Sequence, residues 1–183
     1  MIQIKNAAEL EKMRKACAIS AAALKAGGEA IEPGITTAEI DKIIYDFIVR
    51  HGARPNFLHL YGFPATACIS VNDTVIHGIP SRQQQIRPGD IVSIDTGCKI
   101  DGFNGDNACT YACGKIDLEA QRLLDVTKEG LHRGIEMARG GNRVGDIGHA
   151  VQSYVEENGF SVVRSFVGHG VGKELHEDPE VPN

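Results

Sequence analysis

An α+β chain built from two related halves is predicted by three observations. Each half carries a pair of capped, amphipathic helices. The two pairs align at a constant offset of 107 residues. Between them, two alternating segments meet at Asp101-Gly102, a strong hairpin turn because both residues tolerate positive φ.

The elements follow in chain order. Asn6 with Glu9 forms a capping box, and Leu10, Met13, Cys17 and Leu24 follow at helical spacing. Thr36 with Glu39 repeats the device before Ile40, Ile43, Ile44, Phe47 and Ile48, and His51-Gly52 stops that helix. Ala120 to Met137 reads as a third helix through Leu123, Leu124, Val126 and Leu131. Val144 to Asn158 reads as a fourth through Ile147, Val151, Tyr154 and Val155, ending at Gly159. Under the offset, Gly34 falls on Gly141, Glu39 on Asp146, Ile40 on Ile147, Ile44 on Val151, Phe47 on Tyr154 and Gly52 on Gly159. An extended stretch follows each pair, at 57–71 and 161–171.

Duplication explains this register. It implies one domain over 1–183, with halves of about 1–112 and 113–183. A second hairpin would fall at about 198–218, with the counterpart of Asp95 at about 202. The second half is therefore expected to be incomplete within this chain and to expose a sheet edge.

The composition, 42% hydrophobic and 23% charged with a net charge of −5, suits compact folding and argues against a nucleic-acid-binding surface. No apolar stretch approaches the ~20 residues of a membrane span, and the amino terminus lacks a signal-peptide core. Five cysteines without a Cys-x-x-Cys fit reduced thiols in a cytoplasmic protein. A zinc site using Cys109 and Cys113 is the weaker alternative.

The hairpin from Ile91 to Tyr111 carries the first chemistry. A turn at Asp101-Gly102 sets Asp95 opposite Ala108 and Asp106 opposite Gly97, so both carboxylates share one face. A turn centred on 100/101 would pair 95 directly with 106 and still share the face. Buried together, the two like charges call for a divalent cation. On a solvated face they would serve solubility alone. Ser93, Gly97, Asn104, Ala108 and Thr110 share that face and leave room for ions and water.

The second chemical stretch runs from Ser161 to Pro179. His169 sits between Gly168 and Gly170, which let another group approach the imidazole. Imidazole with carboxylate suits Mn, Fe, Co or Zn. Gly168-x-Gly170-x-Gly172 lacks the glycine and lysine-serine pattern of a phosphate loop, and the zinc-protease His-Glu-x-x-His is missing. His77 and His176 can polarise a carbonyl or serve as structural histidines. Phe57, Tyr61, Phe63 and Cys68 can line a pocket for a flexible thioether or pack a core.

The segments Tyr61-Gly-Phe-Pro, Cys68-Ile-Ser-Val-Asn-Asp, Val75-Ile-His-Gly-Ile-Pro, Gly89-Asp-Ile-Val-Ser-Ile-Asp-Thr-Gly, Asp101-Gly-Phe-Asn-Gly-Asp and Gly168-His-Gly-Val-Gly-Lys-Glu-Leu-His-Glu-Asp-Pro stand in one order. In these motifs the chain resembles bacterial type I methionine aminopeptidases over essentially its whole length. The resemblance implies the pita-bread (creatinase/aminopeptidase) fold, an α+β architecture of two pseudo-symmetric halves around two divalent metal ions.

It also implies roles. Asp95 corresponds to a terminal ligand, Asp106 to a bridging carboxylate and His169 to an imidazole ligand. His77 corresponds to the residue near the substrate amino terminus and scissile amide, and His176 to the one that stabilises the tetrahedral intermediate. Tyr61, Phe63 and Cys68 match the wall of the methionine side-chain pocket, with Phe57 and Leu175 at less strictly kept positions.

The implied reaction is removal of the initiator methionine from nascent chains with a small second residue, by a hydroxide bridging the metals. The implied partners are nascent amino termini and the implied state a monomer; ribosome contact is unreadable. Two further glutamate ligands of the family are expected beyond Asn183, one of them the proton shuttle, so weak metal binding is expected of these 183 residues. The alternatives are a catalytically inactive pita-bread fragment, a peptide-binding protein and a prolidase-like metallopeptidase.

Overall fold

The computed structural model describes residues 1–183. The chain divides into two compact units, Ile4–Ile116 with Val171–Leu175, and Asp117–Gly170 with Met1–Gln3 and His176–Asn183.

In the first unit, α1 spans Ala7–Glu29 and α2 spans Thr37–Arg50. Both predicted capping boxes form, Asn6 with Glu9 and Thr36 with Glu39. The sheet contains β1 (Arg54–Pro55), β2 (Ala67–Val71), β3 (Ile91–Ile100) and β4 (Phe103–Ala112). Strand β3 is the hub: β4 pairs along one edge and β1 and β2 share the other, all antiparallel. Its register with β4 is the one read from the turn, Asp95 opposite Ala108 and Gly97 opposite Asp106. Asp101 (φ 52°) and Gly102 (φ 83°) both take positive φ, as a tight two-residue turn requires.

Alternation along β3 separates two faces. Val92, Ile94 and Cys98 join Ile40, Ile44, Ile48 and Ile69 in the core under the helices. Burying each isoleucine contributes about 1.5–3 kcal/mol. The helical face of α1 differs from expectation: Leu10 and Cys17 are exposed, and Ala16, Ser20, Ala23, Leu24, Gly27 and Gly28 are buried. Close approach is the reason. A Cβ on Gly105 of β4 would lie 2.5 Å from the Ala16 carbonyl and the Cys17 nitrogen, so small residues make this contact. The stretch 57–71 is a strand only from Ala67 onward. Before it lies a 3-10 turn, Leu60–Gly62, with His59 and Tyr61 at positive φ.

In the second unit, α3 spans Leu118–Met137 and starts two residues earlier than expected because Asp117 caps it. Helix α4 spans Val144–Glu157, offset from α2 by 107 residues at both ends. The parallel extends to packing. A Cβ on Gly27 would meet Ile44 at 2.7 Å and Ile40 at 3.5 Å; one on Gly134 would meet Val151 at 2.8 Å and Ile147 at 3.4 Å. The buried face of α3 is Val126, Gly130 and Gly134, while Leu123 and Leu131 face outward. Strands β5 (Gly168–Gly170) and β6 (Glu177–Val181) pair antiparallel, so only the end of 161–171 is a strand. No helix is long and apolar enough to cross a membrane.

Candidate metal centre

The face of β3 turned away from the helices carries the carboxylates. Across the sheet, Cys68, Asp95 and Ala108 form one row, and Ser70, Ser93 and Thr110 form the next. Ser93 and Thr110 share a 2.8 Å hydrogen bond. Asp106 occupies the neighbouring position opposite Gly97. Phe57, 8% exposed, reaches the same place: its ring edge lies 3.4 Å from where a Gly97 Cβ would stand. Of the expected pocket residues, Phe57 and Cys68 therefore adjoin the aspartates, whereas Tyr61 is 91% exposed and Phe63 half-buried.

Burial pushes the Asp95 carboxyl well above the usual carboxylate range. The Asp106 charge and a hydrogen bond between the two carboxyls act in the same direction. Two carboxyls this close share a proton or need a cation. Burial and the same two charges push the Cys68 thiol up to about 12, so Cys68 is a neutral wall and no thiolate.

At the far end of this face, Asn104 is 2% exposed. Its Nδ2 donates to the carbonyls of Gly172 (2.8 Å) and Lys173 (2.9 Å). Lys99 Nζ donates to the Lys173 carbonyl at 2.6 Å. The segment Val171–Leu175 is thereby fastened to the carboxylate hairpin, with Leu175 half-buried. Asn56, which sequence reasoning did not single out, brings its buried Nδ2 to 3.0 Å from the Gly97 Cβ position. Its signal was register: Asn56 N–H donates to the Gly97 carbonyl one step beyond β1.

In the second unit, the glycines around His169 serve an extended strand. A Cβ on Gly170 would lie 2.5 Å from the Asp178 carbonyl oxygen of β6. His169 Nδ1 lies 2.9 Å from the Gly170 carbonyl and donates to it, which makes Nε2 the ring nitrogen a metal would take. The His169 and His176 rings lie 4.4 Å apart between centroids. His77, in the first unit, sits on an exposed loop at φ 59°.

The aspartates thus belong to one unit and His169 and His176 to the other. Across the chain, no three His, Cys, Asp or Glu side chains are gathered as a metal-binding group. The donor chemistry of the aspartate pair nevertheless fits a divalent cation, because hard anionic oxygens crowded in a half-buried place are relieved by one.

A sheet face presenting paired carboxylates, with paired helices on the opposite face, has the donor chemistry of a divalent-metal enzyme. The chain belongs to metallopeptidase family M24, whose model matches residues 11–183. Within that family it is a type I methionine aminopeptidase homologue with the pita-bread fold. The methionine aminopeptidase of Clostridium perfringens is 52% identical over 183 residues, which cover 100% of this chain and 73% of that protein. Methionine aminopeptidase 1 of Bacillus subtilis is 46% identical with the same coverage. The crystal structure of the Thermotoga maritima methionine aminopeptidase superposes with a TM-score of 0.98 at 42% identity, covering 100% of this chain and 74% of that one. The Pyrococcus furiosus prolidase superposes with a TM-score of 0.87 at 26% identity, covering 98% and 52%.

Proposed function

We propose that the protein removes the initiator methionine from nascent polypeptides whose second residue is small, as a cytoplasmic monomer using two divalent ions (Co, Mn, Fe or Zn). The observation that carries this reading is the half-buried Asp95 and Asp106 pair, in which burial and the Asp106 charge raise the Asp95 carboxyl as a missing counter-charge would. Asp95, Asp106 and His169 would hold the ions. The ions, when bound, supply Lewis acidity toward the scissile carbonyl and an activated water.

The chain's own groups do the rest. His77 holds the peptide near its amino terminus and scissile amide, and His176 donates a hydrogen bond to the carbonyl oxygen as charge builds there. Phe57, Phe63, Cys68, Tyr61 and Leu175 take the methionine side chain. A neutral thiol suits a thioether neighbour because it brings no charge to the apolar pocket.

The test is methionine release from Met-Ala-Ser, with Mn²⁺ or Co²⁺ supplied, by a protein extended past Asn183 to the length of its Clostridium relative. Metal-dependent release that disappears in Asp106→Asn supports the reading. Absence of release from the longer protein rejects it. These 183 residues are expected to bind Mn²⁺ at about micromolar affinity or weaker, as a set of two carboxylates and an imidazole would.

A further inference from the structure

We propose that Ser70 is the positioning residue of His77, a step that rests on the reading of His77 as a substrate-facing group. Ser70 lies in β2 on the carboxylate face, two residues from Cys68 and opposite Ser93, and is 4% exposed. Its Oγ accepts the backbone N–H of Gly78 at 3.1 Å. The reciprocal bond runs from the Ile69 N–H to the Gly78 carbonyl at 2.8 Å. Gly78 is therefore docked on β2 through both of its backbone groups.

Two further observations show that this docking is tight. A Cβ on residue 78 would lie 2.1 Å from the Ile69 carbonyl oxygen and 2.9 Å from the Ser70 Cα, so glycine alone permits the approach. The preceding residue, His77, is held at φ 59°, a conformation that a non-glycine residue keeps only when its surroundings impose it. Around it the loop is open: Val75 is 68% and Ile79 57% exposed. The backbone clamp at Gly78 holds the chain directly beside the histidine.

The clamp also explains a choice of residue. The Gly78 N–H points at β2 where the next acceptor is a side chain, and Ser70 supplies the oxygen from a position whose Cβ already faces the carboxylates. Alanine at 70 would leave that N–H without its partner and free the His77 backbone to relax out of positive φ. Threonine would keep the oxygen.

The experiment uses the 183-residue chain with Ser70→Ala and Ser70→Thr, read by amide hydrogen exchange and by the His77 ring resonances in NMR spectra. In the unaltered chain the Gly78 amide is expected to be protected. Ser70→Ala should speed its exchange roughly fivefold or more and shift the His77 Cε1–H resonance, while the amides of Ile94 and Cys98 keep their rates. Ser70→Thr should restore both signatures. An unprotected Gly78 amide in the unaltered chain overturns the proposal. So does an unchanged His77 resonance in Ser70→Ala, or equal loosening of Gly78 and β3. Methionine release does not enter these readouts, so failure of the proposed function and failure of this inference are separately visible.

Discussion

Replacing Asp106 by asparagine should change sign in its effect on stability according to whether a divalent cation is present. In chelator, the unaltered protein keeps two half-buried carboxyls on one face, and Asp95 is raised by burial, by the Asp106 charge and by their hydrogen bond. A folded-state pKa above the unfolded one means that folding strengthens proton binding. The associated stability is complete below the unfolded value of about 3.9 and is lost as pH climbs through the raised value toward neutrality. Two unit charges ~4 Å apart repel by about 4 kcal/mol at an effective dielectric of ~20, which sets the ceiling. Sharing a proton recovers part of that cost, so Asp106→Asn should gain roughly 1–3 kcal/mol at pH 8 in EDTA.

Manganese should reverse the order. At 1 mM, with a dissociation constant of ~10 μM, linkage stabilises the unaltered protein by about 2.7 kcal/mol. That corresponds to roughly 5–10 °C in Tm for a chain of this size. The variant has lost the bridging charge and should gain far less. The assay is urea and thermal unfolding followed by circular dichroism, from pH 5 to 8, in EDTA and in MnCl2. An Asp106→Asn protein less stable than the parent in EDTA at pH 8, or equal stabilisation of both by Mn²⁺, would refute the reasoning.

Three other outcomes follow from packing and burial. Gly105→Ala pushes a methyl group into the backbone of Ala16 and Cys17, 2.5 Å away, and should cost about 1–3 kcal/mol in urea denaturation. Asn104→Ala removes the side-chain donor shared by the Gly172 and Lys173 carbonyls, which keep the residue-104 N–H and Lys99 Nζ, and should cost about 0.5–1.5 kcal/mol, with faster exchange of the residue-104 amide. Iodoacetamide at pH 8 should label Cys109 quickly and Cys17 more slowly: both are exposed, but partial burial and the Asp106 charge raise the Cys17 thiol. Cys68 and Cys98, buried with thiols pushed up to about 12 and about 11, and buried Cys113 should wait for unfolding. Mass spectrometry before and after urea counts the modifications.

The parts of this molecule legible in the sequence were those set by local chemistry. Asp101-Gly102 determines the turn, the turn determines the register of β3 with β4, and period-two alternation then places 95 and 106 on one face. The capping boxes at Asn6 and Thr36 marked two helix starts for the same reason: the signal lies within three residues. The buried face of α1 was illegible because it is chosen by a long-range approach. Ala16, Gly27 and Gly28 contact the sheet and α2 closely, and small residues carry little hydrophobic periodicity. The same limit hid Leu123 and Leu131, whose helical spacing was read correctly while α4 packs on the glycines instead. In the candidate site, Asn56 and Ser70 stayed silent because their partners, Gly97 and Gly78, are backbone groups. A sequence motif records which side chains are present and says little about which peptide they hold.

Crystals of the chain grown with Mn²⁺ and measured at the manganese absorption edge test the central claim most directly. The account predicts anomalous density within ~2.0–2.3 Å of carboxylate oxygens of Asp95 and Asp106. Manganese bound elsewhere, with no anomalous density beside those two aspartates, would contradict it.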